Sequence, residues 1–131
     1  MKRFVSIVLI VCIMLAVCGC AKTSVNENTK VTLTFIYGEQ NIIVALSDAE
    51  AAKVIEIMNG NSYAPVFSGV PSCGFDKNIS LKVGGRTFAI ACDTCNTIRD
   101  LSNFRYFSVS QGEIDYIHSL FEKYGGHFPC V

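Results

Sequence analysis

The chain has 131 residues, 50% of them hydrophobic, with 11 basic and 11 acidic side chains. That length suits one domain. Without Lys2 and Arg3, which precede Cys20, 9 basic and 11 acidic side chains remain, a net charge of −2; this argues against nucleic acid as a partner and against anionic lipid held by a polybasic patch.

In chain order, Met1-Lys-Arg3 is a short positive start, Phe4 to Val17 is apolar except for Ser6, and Cys18-Gly19-Cys20 follows. A charged start, an apolar stretch and a small residue before a cut are the parts of a secretory signal. As a helix, the 14 residues from Phe4 to Val17 span about 21 Å, short of a bilayer core about 30 Å thick. Val17-Cys18-Gly19-Cys20 resembles the lipobox of bacterial lipoproteins. In that family the cysteine thiol receives a diacylglyceryl group before the signal is removed, and the modified position maps onto Cys20. Cys18 departs from the pattern, since a smaller residue is commoner there. The resemblance implies a signal peptide over 1–19 and an acyl anchor at Cys20. It also implies a domain held on the cell membrane and facing outside the cytoplasm. It implies no activity.

Ala21 to Lys30 is polar and lacks a hydrophobic period, so 20–30 reads as the lipidated cysteine and a flexible tether, reaching about 35 Å at most. Residues 31–131 read as one extracytoplasmic domain. Val31-Thr-Leu-Thr-Phe-Ile-Tyr37 alternates, a turn signal follows at Gly38-Glu-Gln-Asn41, and Asn41 to Leu46 resumes strand character, which together predict a hairpin. Ser47-Asp-Ala-Glu50 fits a capping box opening a helix to about Met58, with Ala51, Val54, Ile55 and Met58 as its core stripe. Asn59-Gly60 is expected to end it through a left-handed glycine. Asn61 to Asp76, with Pro65 and Pro71, reads as an irregular segment. Its Tyr63, Val66, Phe67 and Val70 are expected to lie against the domain. Asn78 to Val83 and Arg86 to Ala91 alternate about Gly84-Gly85, which suits a type I′ turn. Cys92 to Asn103 reads as a polar connection with one helical turn, and Phe104 to Val109 as a fifth strand. Ser110-Gln-Gly-Glu113 caps a last helix that carries Ile114, Ile117, Leu120, Phe121 and Tyr124 and ends at Gly125-Gly126. The order β-β-α-β-β-β-α predicts an α+β fold, a small antiparallel sheet with two helices on one face.

Four cysteines remain after the signal and Cys20 are set aside: Cys73, Cys92, Cys95 and Cys130. Outside the cytoplasm an even set points first to disulfides. Long-range pairs, each joining Cys92 or Cys95 to Cys73 or Cys130, are favoured because a long loop removes more unfolded-state entropy, about 3 kcal/mol or more per bridge in the chain-entropy model. A second reading is a zinc site on the same thiols, with His127 able to replace one. A third is thiol-disulfide exchange at Cys92-Asp-Thr-Cys95; Asp93 opposes a thiolate there, and no βαβ pattern surrounds the motif. His118 reads as a helix-flank residue, and Asp93, Arg99 and Asp100 as solvating a loop. No Ser-His-Asp set, paired carboxylates or phosphate loop is evident. The segments Cys73-Gly-Phe75, Ala91-Cys-Asp-Thr-Cys95 and Glu122 to Cys130 resemble small uncharacterised bacterial proteins, often lipoproteins, a likeness that implies no mechanism. The expectation is therefore a membrane-anchored, disulfide-stapled binding or structural domain that needs no cofactor, with a protein or small molecule as ligand. The alternative is a redox or zinc protein using Cys92 and Cys95.

Overall fold

A computed structural model of the chain describes residues 21–127. The expectations for Cys20, Cys130 and the segment 1–19 lie outside these residues. The strands are β1 Val31–Tyr37, β2 Gln40–Ala45, β3 Ser80–Val83, β4 Arg86–Ile90, β5 Thr97–Asp100 and β6 Arg105–Ser108. Helix α1, Asp48–Gly60, follows β2, and helix α2, Gln111–Lys123, follows β6. The strands form one antiparallel sheet in the order β2-β1-β3-β4-β5-β6. The fold is α+β.

Alternation decides which side chains enter the core. Val31, Leu33 and Phe35 of β1, Leu81 and Val83 of β3, Phe88 and Ile90 of β4, Ile98 of β5 and Phe107 of β6 are all buried. They join Val54, Ile55, Ile57 and Met58 of α1 and Ile114, Ile117, Leu120 and Phe121 of α2 in one cluster. Edge-to-face contacts Phe35–Phe121 and Phe88–Phe107, with centroids 6.3 Å apart in each, join the sheet to α2 and strand to strand. Both capping boxes form, Ser47 with Glu50 and Ser110 with Glu113. Glu50 also ties the helices together. Its carboxylate accepts from Lys123 Nζ at 2.6 Å and from the Tyr124 hydroxyl at 2.8 Å. These bonds, led by Lys123, lower its carboxyl from 4.5 to about 2.

Five expectations are corrected. The connection after Cys92 contains a strand, β5, where a polar link with a helical turn was expected; Thr97, Ile98 and Asp100 are buried there because β4 and β6 pair on either side. Helix α1 runs through Gly60, and Asn61 caps it in extended conformation with its amide donating to the Ile57 carbonyl at 2.8 Å. The β3–β4 turn has left-handed backbone at Gly84 alone, whereas type I′ needs it at both central positions. A Cβ on Gly84 would also lie 2.9 Å from Thr29 Cγ2. The segment read as a tether packs on the domain over 21–25. Thr23 is fully buried, its hydroxyl donating to the Met58 and Asn61 carbonyls; Val25 is buried, and its amide and carbonyl bond the Asn59 side chain at 2.7 and 3.1 Å. Finally, Tyr63 is buried as expected, but Val66, Phe67 and Val70 are 80%, 87% and 78% exposed.

Candidate functional site

The sheet delivers the Cys-x-x-Cys to one corner. β4 ends at Ile90, Ala91 makes an isolated antiparallel bridge with Phe75, and the chain turns through Asp93 before β5. Cys73 and Cys95 form a disulfide across a separation of 22 residues, with Cα atoms 5.8 Å apart. Cys92 is fully buried and likewise disulfide-bonded; its sulfur lies 3.4 Å from the Gly74 carbonyl oxygen. Cys95 therefore pairs with a distant thiol and not with Cys92.

Asp93 organises the knuckle. Its carboxylate accepts from the Gly74 amide at 2.5 Å and from the Cys95 amide at 3.0 Å. These two bonds, the Gly74 one first, hold its carboxyl below the ordinary range. A second link runs between the strands beside the bridge, where the Cys92 amide donates to the Gly74 carbonyl at 2.9 Å. Asp93 thus binds both chain segments that the disulfide joins. One ligand atom from each of Cys73, Asp93 and Cys95 falls within 4.8 Å of the others. While the bridge is intact, both sulfurs are spent in the S–S bond and offer no thiolate to a metal. His127 is exposed and is not part of this group.

Between the knuckle and α2 lies a cleft of about 260 Å³ lined by Asp93, Thr94, Asn96, Gln111, Asp115, His118 and Ile114. His118 stands on α2, half-buried, with Nε2 3.0 Å from the Ala91 carbonyl oxygen. A carbonyl only accepts, so that nitrogen carries the hydrogen. The lining is two carboxylates, an imidazole, a hydroxyl and two side-chain amides, over one apolar residue.

A buried polar cluster that sequence reasoning missed sits elsewhere on the core side of the sheet. Asp100, expected to solvate a loop, is fully buried and accepts from Arg86 Nη2 and from the Tyr63 hydroxyl. Arg86 also donates to the Ser24 carbonyl at 2.8 Å. Burial pushes the Asp100 carboxyl up, but the bonds from Arg86, Tyr63 and the Ser102 amide outweigh it and hold it low. Burial, then the bond to Asp100, raises the Tyr63 phenol. One signal was readable: Arg86 is in phase with Phe88 and Ile90, so a cation occupies an inward position that calls for an anion. Arg99, grouped with Asp93 and Asp100 in sequence, instead lies over the Tyr106 and Phe104 rings, 5.4 and 5.6 Å from their centroids.

Comparison of the chain with protein-family models, with curated proteins and with solved structures found no match. Among the described residues, no helix is long and apolar enough to cross a membrane.

Proposed function

We propose that this protein is a lipid-anchored domain, displayed outside the cytoplasm and stapled by disulfides, that works by binding and not by catalysis. The observation that carries the reading is the Cys73–Cys95 bridge, which commits the second thiol of the Cys-x-x-Cys to a distant loop. A dithiol exchange centre cycles between its own two cysteines, and this arrangement takes one of them away. Cys92 with Cys130 is the second bridge in this reading, and Cys20 carries the anchor. The cleft beside the bridge suits a small polar ligand bearing positive charge, since Asp93 and Asp115 are the charged groups lining it.

The test is an intact mass of the mature chain with Cys20→Ser, made in an oxidising compartment. Denatured protein should take no alkylating label before reduction and label on Cys73, Cys92, Cys95 and Cys130 after it. Peptide mapping should return Cys73 linked to Cys95. A Cys92–Cys95 linkage, or a fraction of either thiol open to label, would move the protein into the redox class.

A second reading rests on the Cys73, Asp93, Cys95 grouping. Reduction would release two thiolates beside a carboxylate, a donor set that takes zinc. Stoichiometric zinc retained by the reduced protein, and lost on reoxidation, would support it.

A further inference from the structure

The segment from Ala64 to Ser72 is bound at its base and bare at its tip. The Ala64 amide donates to the Tyr106 carbonyl at 2.7 Å, and the Phe75 ring returns to Tyr106 at 6.2 Å between centroids. Cys73 is fastened to Cys95. Such a closed loop, ends together, is an Ω-type presentation of whatever lies between. What lies between is Val66, Phe67 and Val70, each more than three-quarters exposed. From Ser62 to Ser72 there is no charged residue. Solvent-exposed apolar side chains clustered on a loop held this firmly mark a contact surface.

The docked N-terminal segment says what the surface meets. Ala21 is bonded covalently to Cys20, and its carbonyl accepts from the Tyr63 amide at 3.1 Å; Lys22 pairs with Ser62 as an isolated bridge. In sequence, the anchor position adjoins Ala21, which is bonded at the base of the loop. Val66 is three residues beyond Tyr63, at most about 11 Å along the chain, and Phe67 at most about 14 Å. At that base sit two cations, Lys22, exposed, and Arg105, which donates to the Ala64 carbonyl at 3.1 Å and lies over the Tyr63 ring. Apolar tips with cations behind them suit the boundary between acyl chains and headgroups.

We infer that the Val66–Val70 loop tip is a second membrane contact, seated in the same bilayer that holds the acyl chains on Cys20. This rests on the lipoprotein reading above. Its consequence is orientation: the domain lies against the bilayer by its Tyr63 corner, where a free tether would let it tumble.

The chain has no tryptophan, so Phe67→Trp gives a single fluorescent reporter at the loop tip. Tyr37→Trp, on an aromatic 70% exposed at the β1–β2 turn, serves as the control. Each protein is studied as the lipidated chain in vesicles of zwitterionic and anionic phospholipid. Each is also studied with Cys20 replaced and a histidine tag before Ala21, held on nickel-chelating lipid. Emission of the Phe67→Trp protein should shift to the blue on vesicles and be quenched by brominated acyl chains in both formats, with the Tyr37→Trp protein unaffected. Unshifted and unquenched emission from Phe67→Trp on vesicles that hold the protein would overturn the proposal and leave the loop for a protein partner. The mass of the purified chain reports separately whether Cys20 is acylated. An unmodified Cys20 would sink the lipoprotein reading, while the nickel-lipid arm would still read the loop.

Discussion

Two places on the core side of the same sheet are solved in opposite ways. At one, Phe35 and Phe121 fill space with aliphatic neighbours and require only to be kept from water. At the other, Arg86 and Asp100 enter the interior as charges, and the structure must bring Tyr63 and the Ser24 carbonyl to complete their bonding. The first place tolerates any neighbour of the right volume, because burial is non-directional. The second is directional and depends on chain segments far away in sequence. The polar corner thus ties Ser24 and Tyr63, at the start of the exposed loop, to the sheet, beside the bonds that hold Thr23 and Val25 to α1 and Asn61, and the apolar centre is what makes the sheet and helices one body.

That contrast can be tested by breaking each side. Phe35→Ala should cost the most, about 3–5 kcal/mol, because it opens a cavity among side chains that cannot collapse fully. Denaturant unfolding should show one weakened transition for the whole domain. Replacing Cys73 and Cys95 together by alanine should cost about 3 kcal/mol in the chain-entropy model, given a separation of 22 residues between the thiols. Hydrogen exchange should show lost protection concentrated around Gly74 and Cys95, with β1 and β2 little changed. Asp100→Ala should cost about 2–3 kcal/mol, below the range for a fully dry pair, since the Arg86 side chain is 27% exposed. Here the 21–25 amides should exchange faster before global unfolding, and the double variant Arg86→Met/Asp100→Leu should recover much of the loss.

The smallest effect belongs to the link between helices. Glu50→Gln should lower stability by no more than about 1 kcal/mol, as for other ion pairs near the surface. The pH dependence sharpens this. A carboxyl held at about 2 in the folded protein against 4.5 unfolded adds stability that is complete above pH 4.5 and lost as the pH falls toward 2. Asp100, also held low, acts in the same direction. Acid titration of unfolding should therefore be shallower for Glu50→Gln below pH 4.5, with no difference in slope above it.

Much of the architecture was readable from local pattern. Period-two alternation marked β1 and the β3–β4 hairpin, and Ser47/Glu50 and Ser110/Glu113 marked two helix starts, because caps and amphipathic periods are written within a few residues. Strand β5 was not, since Thr97-Ile-Arg-Asp100 has one large apolar residue and gains its strand character from pairing on both edges. Of the candidate site, the long-range preference for Cys95 followed from loop entropy. The choice of Cys73 and the role of Asp93 in binding Gly74 and Cys95 did not, because both depend on where β4 sets the knuckle down.

By itself, the sequence determined the α+β class, the two capped helices, the apolar core stripes of the strands and helices and the four thiols from Cys73 to Cys130. Each of these is a property of neighbours along the chain. Only the tertiary structure decided that 21–25 lies on the domain, that Asp100 is buried against Arg86, and that Val66, Phe67 and Val70 face outward while Tyr63 faces in. Those outcomes turn on hydrogen bonds and exclusion from water between segments tens of residues apart, and no local pattern encodes which distant partner will arrive.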